Sequence, residues 1–254
     1  MSGGHAHALH LHGHSPVHNL APQTKLVALA LFIAAVVITP RQAVWAFGVY
    51  AGLVLLILVA AEVPAGFFLR RIAIEIPFVA FALLLPFVGR PPRLAVGPLA
   101  FSTEGLWGAW TILVKGTLGV SASVLLAATT EIPDLLSGLD RLRAPRLFTA
   151  IAGFMVRYLD VVSNELGRMR TAMAARGYAP RWWWQNKAPA TAAGALFIRS
   201  YERGERVYQA MAARGFTGTM PALQSTPVPP RTWWVALSLP ALALVVALIA
   251  LVTQ

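Results

Sequence analysis

Residues 106–130 read LWGAWTILVKGTLGVSASVLLAATT, twenty-five positions with one charge, Lys115. A helix of this length is about 37 Å long, more than the roughly 30 Å hydrocarbon core of a bilayer. Working outward, four more apolar runs appear: 26–39, 43–61, 72–88 and 233–253. The first is short, but Thr24 and Lys25 extend it toward an interface. The third carries Glu75, Pro77 and Pro86. A buried helix in a soluble protein, or a signal-peptide core at 26–39, explains single runs but not five. The next run follows the first almost at once, with no convincing cleavage site.

Composition agrees. The chain has 254 residues, 57% hydrophobic and 12% charged, with a mean hydropathy of +0.64. Soluble domains carry about twice that charged fraction. Disorder is excluded, and an ordinary soluble enzyme is disfavoured. There is no cysteine, hence no disulfide, thiolate nucleophile or zinc–thiolate site.

The net charge of +11 is unevenly placed. Residues 131–231 hold 14 of the 21 Lys and Arg and 7 of the 10 Asp and Glu. The expectation is therefore an all-α integral membrane protein with about five transmembrane helices. A charged insert lies between helices four and five. The divisions are a His-rich tail (1–23), membrane helices one to four (24–130), the insert (131–231) and membrane helix five (232–254). Basic residues favour the cytoplasmic side. That puts the insert and the N-terminus inside and the C-terminus outside.

The insert reads as two long amphipathic helices. After Pro145, apolar residues recur every three or four positions: Met155, Tyr158, Val162, Leu166, Met169, Met173. The opposite face carries Arg157, Asp160, Glu165, Arg168 and Arg170. A second helix begins near Pro189, with a stripe of Phe197, Tyr201, Gly204, Tyr208 and Met211. The two stripes are expected to pack together. A shorter segment, 133–143, precedes both. The mixed signs of the charges favour lipid headgroups or acidic protein over nucleic acid as counterparts.

The two helices end alike. Residues 172–178 are AMAARGY and residues 210–216 are AMAARGF. One such end is a helix cap, with Gly left-handed and Arg facing the negative end of the dipole. Two matching ends favour a shared external task. Small alanines keep each tip narrow, and one guanidinium suits bidentate pairing with a carboxylate. Equal tips imply two equal pockets.

Leu142-Arg143-Ala144-Pro145, Arg157-Tyr158-Leu159, Asn164-Glu165 and the paired Ala-Arg-Gly tips resemble the transmembrane coupling subunits of energy-coupling factor transporters, in the CbiQ branch for cobalt or nickel. With the membrane runs, the resemblance covers the chain from about Thr24 onward. It implies that Ala175, Arg176, Gly177, Ala213, Arg214 and Gly215 dock two cytoplasmic ATPase subunits. It also implies a separate substrate-binding membrane subunit, with room for a small accessory membrane protein, in the inner membrane. Co²⁺ or Ni²⁺ would be the cargo of the complex. ATP and Mg²⁺ would be used by the partners, and this chain would bind no tight cofactor.

No Gly-x-x-x-x-Gly-Lys-Ser/Thr, His-Glu-x-x-His or Gly-x-Ser-x-Gly occurs, and no catalytic site is read. A membrane-bound enzyme with a cytoplasmic helical cap is the alternative reading. All six histidines lie in the first eighteen residues, and His10, His12 and His14 could share a metal ion on one side of an extended segment. An incidental polar tail is the plainer account. Glu75 and Lys115 are intramembrane charges that could pair across helices three and four. The plainer account has Lys115 snorkelling and Glu75 near the inner interface.

Overall fold

Pro22 opens the first helix, where its missing N–H costs no hydrogen bond. The computed structural model describes residues 15–88, 93–96, 99–179, 182, 187–218 and 229–253. Among them the helices are α1 (Pro22–Ile38), α2 (Val44–Ala60), α3 (Ala65–Ile72), α4 (Ile76–Val88), α5 (Thr103–Thr129), α6 (Ile132–Arg141), α7 (Arg146–Ala175), α8 (Lys187–Ala213) and α9 (Pro230–Val252). They form two compact units. Residues 143–218 make one; residues 15–142 and 229–253 make the other.

In the larger unit α1 packs against α9, α5 and α6, and α2 against α5 and α9. Small residues let these backbones approach: Ala35, Ala46, Ala243 and Ala250 are completely buried. Tyr50 sits among them. Its hydroxyl lies 2.8 Å from Thr39 Oγ1 and donates to the Ala243 carbonyl at 3.3 Å. The outer surface is apolar. Leu55, Val59, Phe78, Phe81, Trp234 and Leu248 are all more than half exposed. So extensive an apolar surface requires lipid or protein to cover it. α5 and α9 are long and apolar enough to cross a membrane, while α1 and α2 are shorter apolar helices of 17 residues.

The run 72–88 is not one uninterrupted helix. A 3₁₀ turn, Ala73–Glu75, separates α3 from α4. Pro77 has no N–H to bond the Ala73 carbonyl, so one rung of the α-helical ladder is missing at this point. α4 alone, at 13 residues, is about 20 Å long and does not span the hydrocarbon core. A two-stranded antiparallel hairpin is a second departure from an all-helical chain. Its strands are β1 (Arg93–Val96) and β2 (Leu99–Ser102), with Arg93 opposite Ser102 and Val96 opposite Leu99. This stretch of sequence is rich in Pro and Gly, which disfavour helix. Ser102 then caps α5, its hydroxyl accepting from the Gly105 N–H at 3.1 Å.

Sequence grouped residues 133–143 with the long helices. In the structure α6 packs against α1 in the larger unit. α7 and α8, of 30 and 27 residues, form the smaller unit and pack on each other.

Candidate docking site on the paired helices

Both heptapeptides build the same cap. The Tyr178 N–H reaches the Met173 carbonyl at 3.1 Å, and Gly177 reaches Ala174 at 3.0 Å. At α8 the Phe216 N–H reaches Met211 at 3.0 Å and Gly215 reaches Ala212 at 3.0 Å. This is the double-bonded Schellman ending. Gly177 and Gly215 hold φ of +78° and +82°, a region costly to any residue with a Cβ. Backbone bonds and glycine make the cap, so neither guanidinium is needed for it. Arg176 and Arg214 occupy the last position before each glycine. Both are exposed, and neither forms an ion pair among the described residues. Ala174, Ala175, Ala212 and Ala213 are exposed beside them.

The contact between α7 and α8 differs from the one read off the stripes. Glu165, placed by sequence on the polar face of α7, is buried. Its two oxygens accept from Arg199 Nη1 at 3.1 Å and Arg203 Nη2 at 3.2 Å. Both arginines reach one carboxylate only if α8 turns that row toward α7. The half-buried residues of α8 accordingly include Leu196, Ser200, Arg203, Val207 and Met211. Phe197, Tyr201 and Tyr208 lie about a third of a turn round and are 72%, 61% and 65% exposed. On α7, Tyr158, Val162, Leu166, Met169 and Met173 are half-buried, whereas Met155 is 67% exposed.

A groove of about 370 Å³ runs beside the ion pair. Phe154, Met155, Tyr158 and Val162 line it from α7. Ser200, Arg203, Gly204, Val207, Tyr208 and Met211 line it from α8. Since Glu165 meets residues 199 and 203 while earlier residues of α7 meet later ones of α8, the helices run in opposite directions. Their tips therefore lie on opposite sides of Glu165. Each Arg is 11 residues, about 16 Å, beyond its own side of the ion pair.

The hydrogen bond from Arg199 holds the Glu165 carboxyl below its ordinary 4.5, helped by the charges of Arg203 and Arg168 and opposed by burial. Because the folded value is the lower one, the unfolded chain binds the extra proton as pH falls. The stabilisation is complete above the ordinary value and disappears as pH drops through the folded one. Glu165→Gln should therefore lower the melting temperature of the purified protein at pH 7. The difference between the two proteins should close as pH is lowered below 4.5. An equal difference at every pH would refute the ionic origin.

The other sequence candidates separate. Glu75 and Lys115 do not pair. Glu75 is buried and accepts from Thr117 Oγ1 at 3.0 Å. Lys115 Nζ donates to the Val37 and Thr39 carbonyls at 2.7 and 2.8 Å. The carbonyl end of α1, negative by its dipole, takes the ammonium in place of the carboxylate. His10, His12 and His14 lie outside the described residues. Among those described, no cluster of three His, Cys, Asp or Glu could hold a metal. Sequence reading missed the partnership of Glu165 with Arg199 and Arg203. The available signal was two arginines at i and i+4 on a helix that otherwise buries small and apolar residues.

A helical chain with a broad apolar surface and a pair of long, charged helices has the make-up of a membrane protein. It belongs to the CbiQ family of energy-coupling factor transmembrane subunits. Residues 13–226 match the family model described as "cobalt transport protein". The chain is 31% identical over 170 residues to the cobalt transport protein CbiQ of Rhodobacter capsulatus, covering 66% of this chain and 67% of that one. It is 26% identical to the energy-coupling factor transporter transmembrane protein EcfT of Listeria innocua, over 81% of this chain and 82% of the relative. The nickel permease LarQ of Lactiplantibacillus plantarum is 27% identical over 78% of this chain and 67% of its own.

Proposed function

We propose that this chain is the coupling subunit of an ATP-driven cobalt or nickel importer. Arg176 and Arg214 each enter a pocket on one of two identical cytoplasmic ATPase subunits, which use ATP and Mg²⁺. The membrane helices hold a separate substrate-binding membrane subunit. The observation that carries this reading is the repeated cap: two matching backbone endings, facing opposite ways along an antiparallel pair, each presenting a guanidinium with no ion-pair partner among the described residues. An antiparallel pair suits two copies of one partner, one at each end. The names of the CbiQ and LarQ relatives support cobalt or nickel as cargo. The proposed topology is five membrane helices in the inner membrane, with α3 and α4 together as the third. The N-terminus, α7 and α8 are cytoplasmic, and the C-terminus lies outside.

Affinity purification of the tagged chain, co-expressed with the neighbouring subunits, tests the reading. Two ATPase copies and a small membrane protein should accompany it. Purification alone, or turnover of a lipid, would sink it.

The histidine tail gives a further expectation. The described chain begins at Ser15, which is buried, and Pro16, Val17 and Leu20 line an apolar cavity of about 210 Å³ with residues of α1, α2, α5 and α9. Deletion must therefore stop at residue 14. Removing residues 1–14 should leave assembly intact. If the histidines gather metal, uptake should fall at low Co²⁺ or Ni²⁺ and recover at high concentration. Superimposable uptake curves would show the tail to be incidental.

A further inference from the structure

Lys25 stands in the first turn of α1, and only 8% of it is exposed. Its three N–H bonds are all used. They go to the Thr129 carbonyl at 2.9 Å, Thr130 Oγ1 at 3.1 Å and the His18 carbonyl at 3.1 Å. All three acceptors are uncharged, though the negative charge of Asp134, in the first turn of α6, also acts on the ammonium. Burying an ammonium against neutral oxygens costs more than an apolar side chain at the same place would. What the charge achieves is local. Thr129 ends α5, Thr130 follows it, and Glu131 is the N-cap of α6. Lys25 therefore grips the link between α5 and α6, together with the chain just before α1.

The same turn of α1 touches α6 a second time. A Cβ placed on Gly138 would lie 2.9 Å from the Gln23 backbone nitrogen and 3.1 Å from the Pro22 carbonyl carbon. Only glycine lets α6 lie this close to α1. The Gln23 side-chain oxygen is buried there without a hydrogen-bond partner among the described residues. At the far end of α1, Lys115 of α5 bonds the Val37 and Thr39 carbonyls. α1 and α5 are thus antiparallel helices, each giving a lysine to the carbonyl end of the other. α6 is held to this pair at its origin and again at Gly138. It cannot swing about the α5–α6 link without carrying α1 with it.

We propose that Lys25 is a positioning residue for transport, fixing the joint through which α6 hands movement of the long helices to the α1–α5 pair. The proposal rests on the coupling function above and adds where the movement enters the membrane helices. α6 leads by sequence straight into α7, so a load on the docked tips reaches α6 along the chain. The joint makes α1 and α5 respond as one body.

The test uses the chain co-expressed with its ATPase and substrate-binding subunits and reconstituted in liposomes. Recovery of ATPase, ATP hydrolysis, and cobalt or nickel ions moved per ATP are measured. Lys25→Met should recover the ATPases and hydrolyse ATP but move severalfold fewer ions per ATP, because hydrolysis no longer drives α1 and α5 as one body. Gly138→Ala keeps every Lys25 bond and pushes α6 off α1, so it should lower the same ratio. An unchanged ratio in both variants overturns the joint. If Lys25→Met does not assemble, Gly138→Ala decides alone. Failure of both to assemble also counts against the joint, because a positioning role must be separable from docking. If the unmodified chain recovers no ATPase, it is the coupling function that fails.

Discussion

Arg176→Glu and Arg214→Glu, combined in one chain, should abolish recovery of the ATPase subunits and with it transport. Each tip is held by its glycine and its backbone bonds, so the substitution leaves the helix ending in place and changes what it presents. A glutamate set against an acidic pocket exchanges a bidentate attraction for repulsion. Truncating one partner of a buried charge pair typically costs about 2–5 kcal/mol of binding, and reversal costs no less. The single variants should each keep one tip engaged and lose partial recovery. The double should lose more than either single, since two linked contacts exceed either alone by about 10²–10⁴ in avidity. Arg→Lys at both tips should fall between, keeping the charge without the planar fork. If the arginines serve only the helix ends, the double variant loses about 0.3–1 kcal/mol of helix stability per end and still assembles. Co-purification and metal uptake for the four variants distinguish the outcomes. Full assembly and transport in the double glutamate variant would end the docking function of the tips.

Glu165→Lys should have the second largest effect, and at a distance from both tips. It places a third cation where Arg199 and Arg203 already converge, 3.1 and 3.2 Å from the present carboxylate. α7 and α8 are then expected to part where they cross. The tips remain intact but lose their fixed separation, and binding two pockets at once depends on that separation. ATPase recovery should drop about tenfold or more, because a cation replaces a buried carboxylate that two partly exposed arginines share. A loss of this kind has a sharp control. Arg199→Glu added to Glu165→Lys re-forms an ion pair of opposite sense and should restore part of the recovery. A general unfolding of the unit would not be rescued by a second charge change. Undiminished recovery in Glu165→Lys alone would show that the spacing of the tips is set elsewhere.

The five apolar runs and the two matching heptapeptides were legible from sequence because their causes are local. A run of apolar residues becomes a helix that needs an apolar surrounding whatever its neighbours are. The cap at Gly177 closes with bonds that reach back no further than Met173, and that at Gly215 no further than Met211. The interruption of the third run was not legible in this way: Pro77 removes one bond there, but Pro86 and Pro240, equally visible, sit inside α4 and α9 without ending them.

What tertiary structure alone decided are the partners of the charges. Lys25 meets Thr129, 104 residues away, and Lys115 meets Val37, 78 residues away. Glu165 meets arginines 34 and 38 residues further on. Hydrophobic periodicity places a helix face to within a broad arc, and on α8 a carboxylate from another helix chose the rotation within that arc. Charge pairing has no period in the sequence. Lys115 was as free, on paper, to take Glu75 as to take the carbonyl end of α1, and only the packing of α1 against α5 brought one of them within reach.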